Sequence, residues 1–471
     1  MALNFAYEGV ILPDNQPLML VHRDWRQHNR SPVDTSARVA HRRGLDNGRN
    51  KLRRKFAKTR SAPPALALRT ENSTPDAGYE QSREGFNSLT FHFLPDSSSN
   101  GGAFKAPTTV AINHYIAYYL HTIADSLYPF SERLTFNPIR ERCFKVAVTN
   151  ETWFLTIMYC SARSLASSEC NSIYANDATL LMDRIVGRLQ NSVADAEKGI
   201  LPSDAIICAI ACLATLESGL DNLPLSQAHR RGLAELVRAR GGIKKIDKDL
   251  RYKVHRADIE SAVDTNALPL LAYTAPSKTS IPLAAFRGST YLGSHLYENL
   301  ISHLHPILAQ IAKDISELSF TLEHSFHHAV LLNPYSLDED ATNIQHALLT
   351  CYSTDFEPLD HAGRIAALVY VKSLLRPMST LAKTSKILCK QLADTMVGLE
   401  DGSTILARWI AFMGLMSSLP GSAERDLFTS KVNQCGWEET KTDLKKILWV
   451  DAIHSSVAKE IWSEVWGGVP V

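Results

Sequence analysis

Between His229 and Asp264 the chain reads HRRGLAELVRARGGIKKIDKDLRYKVHRADIESAVD, and this stretch leaves few conformations open. Ala228, Gly232, Leu233, Leu236 and Val237 recur at three and four residues, the spacing of one helical face. Gly241 and Gly242 follow at once, and a helix is most readily closed by a glycine in the left-handed conformation. Ile243 and Ile246 then re-enter an apolar layer. Leu250, Val254 and Ala257 repeat at i, i+4 and i+7, with Asp247 or Asp249 placed to cap them. The stretch therefore predicts a helix, a hard stop with Gly241 at positive φ, a basic turn and a second helix.

Helical periodicity recurs along the chain. Val110 to Tyr128 is a predicted amphipathic helix ended by Pro129, followed by helices over Trp153–Ser167 and Asn176–Val193. Ser203 is a cap for a helix apolar nearly all round (Ile206, Ile207, Ile210, Leu213, Leu216), expected at the centre of the first half. Pro269, Pro276 and Pro282 mark a long loop, Leu268 to Phe286, and a soft subdomain boundary near 265–287. Helices are then expected over Ser289–His305 and Pro306–Glu323, and behind a Ser336-x-x-Glu339 capping box. His361–Leu375, Leu381–Met396, Ser403–Met416, Ala423–Gln434 and Lys441–Trp466 complete the series. The fold class is all-α: a large multi-helix body of about ten to twelve helices over residues 108–467, with no solenoid repeat. Residues 1–107 read as a basic, mostly disordered arm and linker, in which only Phe5–Leu12 and the island Leu89–Leu94 suggest extended segments.

An apolar fraction of 45% with 21% charged residues suits a globular chain, but the net charge of +1 hides an asymmetry. His22 to Arg60 carries 13 basic and 3 acidic residues, a net +10, leaving −9 for the remainder. A basic arm on an acidic body fits nucleic-acid contact or nuclear import. Arg42, Arg43, Arg53, Arg54 and Lys55 are the candidate phosphate contacts, non-specific because cations alone read no bases. A second basic zone, 230 to 256, carries a net +7. As a helix-turn-helix it would offer these charges to a groove, but its long turn and apolar layer favour a solvated rim.

Of eight cysteines only Cys208 and Cys212 are close, at i, i+4 on an apolar helix, where buried thiols are expected. No disulfide framework is implied, which suits a reducing compartment. No signal peptide is expected, and the apolar run Ala205–Leu216 is too short to span a bilayer. Of His324, His327 and His328 only His324 and His328 have the four-residue metal spacing, without the third ligand a zinc site needs, so no metal is expected there. There is no dinucleotide fingerprint, P-loop or nucleophile elbow. Asp338, Glu339 and Asp340 form the one dense acidic trio, the feature an α-helical enzyme of terpene-cyclase-like type would use for magnesium. Without a partner motif they read as first-turn residues favoured by the helix dipole. No catalytic residue, cofactor or metal ligand is predicted.

His229, Gly232, Leu233, Leu236, Val237, Arg240, Gly241 and Gly242, followed by Asp258 in an Arg-Ala-Asp, resemble the H-x-x-G-L-x-x-(L/M)-V-x-x-R-G-G segment of the fungal-specific transcription factor domain family. The C-terminal Trp449, Asp451, Trp462, Glu464 and Val465 are similar to that family's closing residues, so the resemblance covers roughly Val110 to Val465. It implies a non-catalytic transcription regulator, nuclear (alternatively cytoplasmic), whose helical body takes protein partners or a small-molecule effector, with no membrane partner. The family's six-cysteine zinc cluster has no counterpart, since no cysteine precedes Cys143, and sequence-specific DNA binding loses its usual element. The alternative is a helical protein-interaction protein without DNA binding. No pattern sets the oligomeric state.

Overall fold

The computed structural model describes residues 109–197, 201–273, 304–397, 404–432 and 436–467. The basic arm, the segments Phe5–Leu12 and Leu89–Leu94, and all but the last two residues of the helix expected over Ser289–His305 lie outside the described residues. Thr109 caps the first helix, its hydroxyl accepting from Ile112 N at 3.3 Å. That helix runs as α1 (Val110–Tyr118), a π-helical turn (Tyr119–Ile123) and α2 (Ala124–Leu127). A second π-helical turn, Ile139–Cys143, leads into α3 (Phe144–Ala147), in a stretch where the sequence predicted no element. Arg140 locks the two turns together, its Nε donating to Leu120 O at 2.6 Å.

Next come α4 (Glu151–Glu169), α5 (Ser172–Glu197), α6 (Asp204–Gly219), α7 (Leu223–Ala239) and α8 (Lys248–Thr265). Ser203 caps α6 as expected, and α6 packs against α4, α7 and α8, its apolar residues buried from Ile206 to Ala214. The second half holds α9 (Pro306–His328), α10 (Pro334–Thr350), α11 (Pro358–Leu375), α12 (Met378–Thr384) and α13 (Lys386–Met396). It ends with α14 (Ile405–Ser417), α15 (Ala423–Lys431), α16 (Trp437–Lys445) and α17 (Asp451–Trp466). Its centre is α11 against α14. A Cβ on Gly414 would lie 2.5 Å from the Phe428 ring, so glycine is what admits α15 so closely.

The described residues form an all-α fold, with one isolated parallel bridge, Leu134 to Leu332, and no strand. They hold more helices than expected, partly because two single helices predicted from periodicity are broken. Ser385 separates α12 from α13, and residues 446–450 separate α16 from α17, where Val450 turns extended and its N–H donates to His454 Nδ1 at 3.1 Å. A further correction concerns α10. Asn333 is its cap, accepting from Tyr335 N at 2.9 Å with Pro334 as first helical residue, so Ser336-x-x-Glu339 lies inside the helix. No helix of the described residues is long and apolar enough to cross a membrane.

Candidate functional site

The glycine corner is built as its sequence predicts. α7 ends at Ala239, and Gly241 N–H donates to Arg238 O at 3.0 Å while Gly242 N–H donates to Val237 O at 2.8 Å. These paired bonds satisfy carbonyls that the helix end leaves open, and they require positive φ, here 91° at Gly241 and 97° at Gly242. Arg240 is tied to Asp204 at 3.3 Å, which pins the corner to the start of α6. Asp247 then caps α8 by accepting from Asp249 N at 2.8 Å. Gly232, Leu233 and Val237 are buried on the inner face of α7. His229 is buried beside them, and burial pushes its imidazole down to about 4.

α8 itself is the unexpected element. Lys253, Asp258, Glu260, Ser261 and Asp264 are all buried, interleaved with Val254, Ala257, Ile259, Ala262 and Val263. Asp258 receives Arg230 Nε at 2.6 Å, and the two residues are only 1% and 2% exposed. The same carboxylate accepts from Leu270 N at 3.0 Å and Leu271 N at 2.8 Å, while Arg230 also donates to Leu268 O. The pair thus clasps the chain as it leaves the first half.

Two residues back, Arg256 faces the other way. Its Nε donates to Glu260 Oε1 at 2.7 Å, its Nη2 to Leu127 O at 2.6 Å, and its Nη1 lies 3.4 Å from Asp338 Oδ1. The guanidinium sits 4.7 Å from the centre of the Tyr128 ring, and Tyr128 donates its hydroxyl proton to Asp338. Glu260 also takes Arg376, just past α11. One arginine therefore joins the end of α2 to α8, α10 and α11. Further along, Lys372 of α11 donates to Asp264 at 2.6 Å, and Ser218 of α6 donates to the other oxygen of that carboxylate.

Burial and pairing pull these groups in opposite directions. Burial raises Glu260, but Arg376 and Arg256 overcome it and leave the carboxyl below its ordinary range. For Asp338 burial outweighs Arg256 and the Tyr128 hydrogen bond, and the carboxyl is pushed up to about 6. Burial also lowers Lys372, with Asp264 opposing.

The basic zone 230–256 is thus not uniformly a solvated rim. Arg230 and Lys253 are buried and Arg256 is largely covered, because carboxylates or thiols face them. Asp338 is likewise not a first-turn residue but a buried acceptor in the second turn of α10. His327 bonds to Glu323 at 2.9 Å, and His324 and His328 pack ring to ring at 4.4 Å. Cys208 and Cys212 are buried on α6, as their spacing suggests. Arg42, Arg43, Arg53, Arg54 and Lys55 lie outside the described residues. Arg230, Glu260, Asp264, Lys372 and Arg376 went unnoticed in the sequence, although charges interleaved with small apolar residues on every side of α8 are what a helix buried all round must show.

The described residues thus form an all-helical body with a glycine-closed corner and a junction of paired, buried charges. The chain matches the fungal specific transcription factor domain over residues 114–464 and belongs to that family. No curated protein and no solved structure matches it.

Proposed function

We propose that the protein is a non-catalytic transcription regulator acting in the nucleus, with residues 108–467 as its regulatory body and residues 1–107 as a basic arm. The observation that carries this is family membership across nearly all of the described structure. The buried junction supports it, because Arg256, Glu260 and Asp264 bond across the two halves, and a body of fixed geometry suits recognition of a protein partner or a small-molecule effector. DNA contact, in this reading, comes from Arg42, Arg43, Arg53, Arg54 and Lys55. It is indifferent to sequence and weakens with salt, log K falling by about 0.9 per phosphate contacted per decade of salt.

The test is chromatin occupancy of the tagged full chain, combined with transcript profiles in cells with and without it. Nuclear accumulation, with altered transcripts near occupied loci, is the expected result. Exclusion from the nucleus with an unchanged transcript profile overturns the reading and favours an interaction protein acting elsewhere. Alanine at the five arm residues is expected to abolish binding of the purified chain to random duplexes.

A further inference from the structure

The segment between the two π-helical turns walls a cleft of about 580 Å³. That volume suits a small metabolite. Thr135, Phe136, Arg140, Glu141, Arg142 and Lys145 line it, three cations against one carboxylate. Arg140 is a fixed wall, held by Leu120 O and by Asp125 at 2.6 Å. Lys145 bonds Glu141 at 2.7 Å, with both side chains exposed, and that bond lowers the Glu141 carboxyl. Among the described residues no carboxylate reaches ion-pairing distance of Arg142, which lies instead near the Tyr335 hydroxyl.

Three arguments favour a ligand over a merely solvated face. The cleft is preformed, because Phe136 packs edge-on against Tyr335 at 5.3 Å and Asn137 donates to Ala124 O at 3.2 Å. Arg142 and Lys145, both exposed, stand one turn apart on the cleft wall, so a ligand there can meet both without further ordering of the backbone. A π-helical turn is a costly local departure that recurs at functional sites, and here two are joined beside the cleft. The wall also reaches α8: Tyr335 packs on Tyr252 at 4.9 Å, and Tyr252, one turn before Arg256, bonds the Cys143 thiol at 2.9 Å.

We propose that this cleft binds a small organic anion, a phosphate ester or a carboxylate, with Arg142 and Lys145 as its charge partners and its apolar part on Phe136. The proposal deepens the effector role given above and rests on it for its biological consequence, whereas binding is measured without transcription. Calorimetric titration of the purified full chain with phenyl phosphate, phenylacetate, inorganic phosphate and benzyl alcohol tests it. At least one aromatic anion is expected to bind, more tightly than inorganic phosphate, and benzyl alcohol not at all. Preference for phenyl phosphate assigns a phosphate ester, and preference for phenylacetate a carboxylate. Arg142→Glu is expected to weaken binding by at least about tenfold, the loss of one charge-assisted bond, without changing the unliganded melting midpoint. Lys145→Glu is a second variant should the first fold poorly. Phe136→Ala is expected to erase the advantage over inorganic phosphate. Failure of both aromatic anions to bind, or wild-type affinity in both charge reversals, overturns the proposal. Binding as expected in a chain whose removal changes no transcript leaves the site standing and sinks only the regulatory reading.

Discussion

α8 and α14 are both buried, and they are buried by opposite means. α14 presents Leu406, Trp409, Ile410, Phe412, Met413, Leu415 and Met416 to its neighbours, and Trp409 Nε1 finds Leu448 O at 2.9 Å. α8 places Asp258, Glu260 and Asp264 at comparable depth and satisfies them with Arg230, Arg256, Arg376 and Lys372. Apolar contacts tolerate sliding and rotation. Ion pairs with two or more partners each do not, so α8 fixes orientation while α14 supplies apolar burial. A buried pair adds little net stability over an apolar substitute, but breaking one partner away is severe.

The largest effect is therefore expected at α8. Asp258→Ala strands the Arg230 charge and uncaps Leu270 and Leu271, and should cost about 3–5 kcal/mol in urea unfolding. Arg230→Met combined with Asp258→Leu should recover most of that loss, and a double variant as unstable as the single one breaks the comparison. In α14, Leu415→Ala removes buried methyl groups and should cost about 2–5 kcal/mol, with no second-site charge substitution able to restore it.

A smaller effect is expected at the corner between α7 and α8. Gly241→Val has room, the nearest atom to an added Cβ being Lys245 Cγ at 3.5 Å, so the strain lies in the backbone at φ 91°. The cost should be about 1–3 kcal/mol. An unchanged melting midpoint would show that the corner relaxes to another geometry.

Near neutrality the smallest effect is that of pH. Burial depresses His229 and His255 to about 4 and His454 to about 3. Each is neutral when folded, so the unfolded chain binds more protons between these values and about 6.5, and stability falls as pH drops through that window. At pH 6 this amounts to under about 1 kcal/mol per histidine. Asp338 acts with the opposite sign. Its carboxyl, raised to about 6, contributes stability present below the unfolded value and lost as pH rises through 6. With the three histidines set against Asp338 and against Asp177 and Glu217, whose carboxyls burial also raises, urea midpoints should decline from pH 7 to pH 5, and a rise would show that the raised carboxyls dominate.

The contrast between the two helices also explains what the sequence disclosed. α14, α6 and the α7 corner were legible because apolar spacing and glycine chemistry are local properties. The burial of α8 was not, since Lys253, Arg256, Asp258, Glu260 and Asp264 resemble a solvated face until their partners are known. Several of those partners, Asp338, Lys372 and Arg376, lie far along the chain. The break at residues 446–450 was hidden for a similar reason: apolar residues continue through it, and a tertiary bond, Glu323 accepting from Asp451 N at 2.9 Å, marks where the new helix starts. The cleft escaped notice because a π-helical turn leaves no periodic signature.

The Arg256 junction also constrains the order of events during synthesis. Its partners lie 129 residues upstream at Leu127, 82 downstream at Asp338 and 119 downstream at Leu375. A nascent chain that has emerged only as far as α8 holds Arg256, Glu260 and Asp264 with few of their native neighbours, however well α4, α6 and α7 have packed. Completion must wait until residue 376 leaves the ribosome, and a transcript cut short before α11 encodes a half-body that is charged where it ought to close.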